Sequence, residues 1–348
     1  MNTKRFTIFG LLIVAAMLIA ACGGAAGTAK DDGKLKAVFV IGGTLGDKSF
    51  VDSADRGFKK AVADFGIEYT PVEASADPAK IDAAFTDALN DKSIDIIVQS
   101  QGDLTEKLLE IAPKYPEKKF VVFDNPFDFE KCPECKANVY AVQYAQNEGS
   151  YLAGYYAGLM SKSKVIGAVG GQDIPVIQDF MIGYKQGAVD AGVKEENVLV
   201  QFAASWSDPA KGKELALTMY QQGADIVFQV AGGTGEGVFY AAEEAGKWAI
   251  GVDSDQALII EETNPEQAKV ILTSMLKNVD NSMYRFFQLN EEGKVPWGTN
   301  ELLGIAEGGV GLALNKYYEE NTPQDVKDKM AEIIKKVTDG EITVKTVF

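Results

Sequence analysis

Two doubly wound α/β sheets are the architecture this sequence predicts, on three observations. Short apolar runs alternate with segments of helical apolar spacing at the interval of βαβ units. The alternation breaks near 139–146 and then resumes. The chain has 348 residues, 46% of them hydrophobic, enough for two domains of about 150 residues each after a leader is set aside.

The elements follow in order. Leu35–Ile41 is a near-continuous apolar run, as a strand buried on both faces should be, and Ser53–Phe65 carries helical spacing up to a stop at Gly66. Glu68–Val72 starts the next strand. Asp77-Pro78 caps a helix through Leu89, and Ile94–Gln99, Asp103–Ile111 and Phe120–Phe123 read as strand, helix and strand. After the break come strands at Val165–Val169, Val198–Phe202, Ile226–Val230 and Trp248–Val252. Helices at Ile174–Ala191, Pro209–Gln222 and Gly235–Ala245 separate them. Val139–Gln146 is expected to open the second sheet, leading into Glu148–Leu159, whose small residues at 153, 154, 157 and 158 suit a tightly packed helix. A helix from Ser274 to Leu289 precedes Gly293 and Pro296, and Gly304–Leu314, Asp325–Val337 and Ile342–Val347 add short elements.

The N-terminus has a different character. Lys4-Arg5, an apolar stretch from Phe6 to Ala21 and then Cys22-Gly23-Gly24 form a positive, an apolar and a small-residue region in series, which is a leader too short to span a bilayer comfortably. Ile19-Ala20-Ala21-Cys22 looks like a bacterial lipobox, which implies cleavage before Cys22 and lipidation of its thiol; an ordinary secretory signal is the alternative. The small and polar residues from Gly23 to Gly33 read as a flexible tether. An extracytoplasmic protein anchored by lipid to a bacterial cell membrane is therefore expected.

Composition narrows the function. With 34 Lys and Arg against 50 Asp and Glu the net charge is −16, and loss of Lys4 and Arg5 makes it more negative, so nucleic acid is not an expected partner. The chain contains no histidine, which removes histidine-dependent catalysis and the commonest metal ligand. Cys132 and Cys135, in Cys-Pro-Glu-Cys, favour a local disulfide over a zinc half-site or a redox pair in an exported chain. No metal or cofactor is expected.

Four strand-end loops carry acids and aromatics: Gly-Asp-Lys-Ser-Phe at 46–50, Asp124-Asn125, Ser-Trp-Ser-Asp at 205–208 and Gly-Val-Asp-Ser-Asp at 251–255. Ligands of open α/β sheets sit outside the carboxyl ends of strands, so these loops describe a clasp for a small polar ring compound.

Six ordered motifs resemble the basic membrane protein family, the lipoprotein substrate-binding components of ABC transporters typified by purine nucleoside receptors. They are Gly-Asp-Lys-Ser-Phe (46–50), Gly-Ser-Tyr-Leu-Ala-Gly-Tyr-Tyr-Ala-Gly (149–158), Ser-Trp-Ser-Asp-Pro-Ala-Lys-Gly-Lys (205–213), Ala-Gly-Gly-Thr-Gly-Glu-Gly-Val (231–238), Gly-Val-Asp-Ser-Asp-Gln (251–256) and Thr-Ser-Met-Leu-Lys-Asn-Val-Asp (273–280). The resemblance implies a type I periplasmic-binding-protein fold with three crossovers. The implied lobes are 34–140 with 271–292, and 141–270 with 293–348. It also implies a nucleoside ligand, delivered to permease and ATPase subunits, and no enzymatic step.

The same resemblance implies a sandwich of the base between Phe50 and Trp206 in a site that includes Asp47 and Ser49. It further implies carboxylates at Asp124 and Asp253 for ribose hydroxyls, and Lys277 nearby. Each residue has a plainer alternative. Phe50 or Trp206 could be core, Asp124 or Asp253 a helix or turn cap, and Lys277 a solvated helix lysine; Asp255 is the better cap. Gly232 and Gly233 allow close backbone approach, or make a bare turn. Neither a dinucleotide fingerprint nor a phosphate loop fits there. Ile41, Gly46 and Val51 depart from the family pattern of two acids and an asparagine in the first loop, which leaves the base open. Another ring or sugar, or a nucleosidase using Asp124 and Asp253, are the competing readings.

Overall fold

A computed structural model describes residues 33–348. The leader 1–21, Cys22 and the tether as far as residue 32 lie outside the described residues.

The first sheet is built from β1 (Lys36–Ile41), β2 (Glu68–Glu73), β3 (Ile96–Gln99), β4 (Lys119–Phe123) and β5 (Val139–Tyr144), with α1 (Phe50–Phe65), α2 (Pro78–Asn90) and α3 (Gly102–Ile111) between them. The second half holds α4 (Gln146–Met160), β6 (Ile166–Gly170), α5 (Pro175–Asp190), β7 (Val198–Phe202), α6 (Pro209–Gln221), β8 (Ile226–Val230), α7 (Glu236–Ala245) and β9 (Trp248–Asp253). Then follow α8 (Gln256–Glu261), α9 (Pro265–Ala268), β10 (Ile271–Lys277), α10 (Val279–Glu291), β11 (Asn300–Leu303), β12 (Val310–Leu312), α11 (Lys316–Asn321) and α12 (Gln324–Thr338).

Each sheet has six strands. The first runs β11-β5-β4-β3-β1-β2 with every neighbour parallel. The second runs β12-β10-β9-β8-β6-β7, parallel except for β12 against β10. Central strands covered by helices on both faces explain the unbroken apolar runs: every residue of β3, β6 and β8 is buried. Register aligns the strand ends. Val40 pairs with Gln99 and Gln99 with Val122, so the loops after β1, β3 and β4 open on one edge. Gly170 pairs with both Phe202 and Val230, which does the same for the second sheet.

Three expectations need correction. Val139–Tyr144 does not open the second sheet; it pairs with β4 and completes the first. Ser274 does not start a helix and 271–277 do not belong with the first lobe: Ile271–Lys277 is strand β10 of the second sheet, and the helix begins at Val279. Residues 293–303 do not belong with the second lobe, because β11 forms an edge of the first sheet. The chain therefore crosses between β5 and α4, between β10 and α10, and between β11 and β12. Helix α10 returns to pack on α1, and α12 packs on α4.

The small residues of α4 have a packing purpose. A Cβ built on Gly154 would lie 2.0 Å from the Tyr184 carbonyl oxygen, one on Gly183 2.1 Å from that of Asn147, and one on Gly187 2.0 Å from that of Tyr151. Backbone meets backbone between α4 and α5, and no side chain fits between them.

Candidate functional site

One cavity of about 880 Å3 collects the loops at the aligned strand ends of both sheets. Phe50 and Trp206 both line it, together with Asp47, Asp124, Gly232, Gly233, Asp253 and Lys277.

Phe50 is the first residue of α1 and is half-buried. Its ring stacks on Phe123 at 5.3 Å between centroids and 21° between planes, which fixes its orientation beside the cavity it lines. Trp206 lies on the loop after β7, seated where Gly171 has no side chain: a Cβ there would come within 2.2 Å of Cζ3. Thr234 holds this loop. Its N–H donates to the Trp206 carbonyl (3.1 Å), its hydroxyl to the Ser205 carbonyl (3.0 Å), and it accepts from the Asp208 N–H (2.8 Å).

The acids have separate duties. Asp47 accepts the backbone N–H groups of Ser49 (2.9 Å), Val51 (3.0 Å) and Asp52 (3.1 Å) and so anchors the start of α1. Ser49 is fully buried and absent from the cavity wall; its hydroxyl donates to Asp253, tying the first-sheet loop to the second sheet. Asp253 and Asp124 end β9 and follow β4 with φ of 63° and 67°, left-handed positions that bulky residues avoid. Neither caps a helix. Asp255 caps α8 by accepting the Leu258 N–H.

Lys277 is the last residue of β10 and is 1% exposed. It pairs with Asp124, and its Nζ lies 5.2 Å from the ring centroids of Phe50, Tyr144 and Phe180. A buried ammonium among three rings is stabilised by their faces and by its counter-ion. The pair spans the two sheets. Lys48 adds an ion pair to Glu236 at 3.2 Å, and the Lys48 carbonyl accepts from Gln256 at 3.1 Å.

Residues given no role in the sequence also face this space. Gln101, Asn125, Gln172, Glu236 and Phe348 line the cavity. Phe348 is brought there by Asp179, buried on α5, which accepts the Thr346 hydroxyl (2.7 Å) and the Val347 N–H (2.9 Å). Cys132 and Cys135, which are not part of the cavity wall, form a disulfide. Among the described residues no cluster of three or more His, Cys, Asp or Glu is placed to hold a metal ion.

Burial dominates the charge balance. It pushes the Asp253 carboxyl up to about 7 although Lys277 and the Ser49 hydroxyl oppose the rise, with the charges of Asp47 and Asp124 adding to it. It pushes Asp47 up to about 6 against its three backbone donors. Asp124 is raised too, with Lys277 resisting. The folded protein therefore keeps protons that an unfolded chain releases near pH 4, and every tenfold gain in proton affinity on folding is worth about 1.4 kcal/mol. Stability from these acids is complete below about pH 4 and is lost as pH rises through 6 and then 7. Urea midpoints of the ligand-free protein are expected to fall from pH 5 to pH 8, and Asp253→Asn to flatten that slope; an unchanged slope in the variant would remove Asp253 from the account.

A family profile described as "ABC transporter substrate-binding protein PnrA-like" matches residues 34–345. A protein of Listeria innocua called a CD4+ T-cell-stimulating antigen is 30% identical over 99% of both chains. The ABC transporter nucleoside-binding protein BmpA of Lactococcus lactis is 36% identical over 67% of this chain and 66% of its own. Among solved structures, an ABC transporter solute-binding protein from Aeropyrum pernix superposes with a TM-score of 0.76 at 27% identity, covering 90% of this chain and 93% of that one. No described helix is long and apolar enough to cross a membrane.

Proposed function

This chain belongs to the Bmp family, the PnrA-like substrate-binding proteins of ABC transporters, and on that footing we propose that it captures a nucleoside, a purine nucleoside first. The observation that carries the reading is that Phe50, at the start of α1, and Trp206, on the loop after β7, line the same cavity as the buried Asp253 and Lys277 and the half-buried Asp124. A flat heterocycle between two rings gains about 0.5–1.5 kcal/mol per stack beyond area burial. Ribose hydroxyls are donors, and a carboxylate acceptor in a desolvated site contributes about 1.5–3 kcal/mol per bond. Asp253 and Asp124 supply such acceptors, and Lys277 offsets their charge. Gly232, with φ of 54°, and Gly233 let the ligand approach backbone.

The protein holds its ligand rather than cutting it. Asp124 pairs with Lys277 and Asp253 accepts the Ser49 hydroxyl, which leaves each acid lone pairs for a ribose hydroxyl; the family is one of substrate-binding proteins, and on that footing a nucleosidase is the lesser reading. Capture takes place outside the cytoplasm, with Cys22 as the lipid-anchored residue, and release is to the permease of an ABC transporter. Two stacks with charged hydrogen bonds suit micromolar to nanomolar affinity, about −8 to −12 kcal/mol.

Adenosine, inosine, guanosine, cytidine and uridine added to the protein should change its tryptophan fluorescence saturably for at least one of them, through Trp206. Phe50→Ala is expected to weaken that ligand roughly ten- to a hundredfold by loss of the stack and its buried area. Trp206→Ala should abolish the signal and weaken binding measured by calorimetry. No response to any nucleoside, with both variants indistinguishable from the parent, would end the nucleoside reading.

A further inference from the structure

We propose that Gln101 reads the edge of the bound base, and that its neutral amide selects a base presenting an amino hydrogen beside a ring-nitrogen acceptor, as adenine does. The inference rests on the nucleoside reading above and names a residue that no motif marked.

Gln101 sits where the first loop has no side chain of its own. A Cβ on Gly42 would meet Cδ, Nε2 and Oε1 of Gln101 at 2.3, 2.4 and 2.4 Å. Three nearly equal distances mean that the carboxamide turns its flat face to the Cβ position of Gly42. The amide therefore fills the space a side chain at 42 would claim, and Ile41, itself buried in the core, cannot offer a polar group there.

The backbone of Gln101 is fixed while its side chain is underused. The Gln101 N–H donates to Gln99 Oε1; the Gln101 carbonyl accepts the Thr105 N–H at 3.0 Å and the Thr105 hydroxyl at 2.9 Å; and Gln99 Nε2 donates to the Thr105 hydroxyl at 3.0 Å. The side chain has only a long contact from Nε2 to the Ser100 hydroxyl, 3.3 Å, and Oε1 receives no hydrogen bond from the described residues. Gln101 lines the cavity that Phe50 lines, half-buried. A held amide with an unspent acceptor and a nearly unspent donor in a ligand cavity is a reader of paired donor and acceptor groups.

Charge decides what it reads. Of the cavity's carboxylates, Asp124 pairs with Lys277, Asp253 accepts from Ser49, Asp47 accepts from backbone N–H groups, Glu236 pairs with Lys48 and Asp82 with Lys107; Asp103 and Glu106 are exposed to solvent. Next to Gln101, Asn125 donates one amide hydrogen to the Ser100 carbonyl at 2.8 Å and keeps the other hydrogen and its oxygen. The base therefore meets neutral amides rather than acids. A carboxylate suits two adjacent donors, whereas a glutamine pairs with an amino hydrogen and a neighbouring ring nitrogen, the pairing known between glutamine and adenine.

The test compares adenosine with purine riboside, which lacks the amino group, by calorimetry on the parent, Gln101→Met and Gln101→Glu. The parent should bind adenosine about tenfold or more tightly than purine riboside, a good bidentate pair being worth that much. Gln101→Met should bring the two affinities together by weakening adenosine alone. Gln101→Glu, which keeps the shape and loses the donor, should do likewise and improve guanosine relative to adenosine. Unchanged adenosine preference in both variants would overturn the inference, as would an equal loss for both ligands, which marks a structural role only. A parent that binds nucleosides other than adenosine more tightly overturns it while leaving the capture reading intact; a parent that binds no nucleoside overturns both.

Discussion

Lys277→Met should destabilise the protein by about 3–5 kcal/mol at pH 8, the usual result of stripping one partner from a buried ion pair, and should abolish ligand capture. The lysine is 1% exposed, paired with Asp124 and ringed by Phe50, Tyr144 and Phe180. Asp253, whose carboxyl stands at about 7 with Lys277 in place, loses its main compensating charge as well. Both acids would then ionise only at still higher pH, so the penalty should grow as pH rises and shrink toward pH 5, where they take up protons. Urea midpoints at pH 5 and pH 8 measure this difference. Lys277→Met with Asp124→Asn should recover much of the loss, because the stranded charge is gone. Equal destabilisation at both pH values would show that lost packing, not charge, was responsible.

Gly187→Ala carries the second large effect, about 3 kcal/mol or more at the upper end of overpacking costs. The added methyl would sit 2.0 Å from the Tyr151 carbonyl oxygen, a backbone atom that no rotamer change can move. α5 would have to shift away from α4, and α5 also carries Phe180 beside Lys277 and Asp179, which receives the Gln146 amide. Gly154→Ala should cost a similar amount, and the double variant less than the sum, since one separation relieves both clashes. Gly311→Ala is the control: nothing lies within 4 Å of its Cβ. Thermal melting of the four variants decides, and a Gly187→Ala midpoint matching that of Gly311→Ala would mean that the helices part freely.

The alternation of apolar runs with helical segments is legible because a parallel strand and its crossover helix are local patterns. Which sheet a strand joins is not local. β5 reads as a strand from Val139 onward, but its pairing with β4 depends on contacts the run itself does not encode. β10 resembles a helix in sequence for another reason. Ile271, Leu272, Thr273, Ser274 and Met275 are all fully buried, so no alternation marks the pleat, and Ser, Met, Leu and Lys are at home in helices.

The site divides along the same line. Phe50, Trp206, Asp124, Asp253 and Lys277 stand in motifs and line one cavity. Ser49 stands in a motif too, yet its hydroxyl is spent on Asp253. Gln101 and Phe348 line the cavity from a turn and a tail that carry no periodic signal; only the bare glycine at 42 hints that a neighbour must fill its space.

The return of α10 and β11 to the first sheet has a consequence for when that half of the molecule can exist. Its edge strand and the helix covering α1 are supplied by residues 279–303, so a growing polypeptide that has reached residue 144 still lacks both. The first half matures only after nearly all of the second has been made. Completion of that half thus waits until residue 303 has been made, late in synthesis.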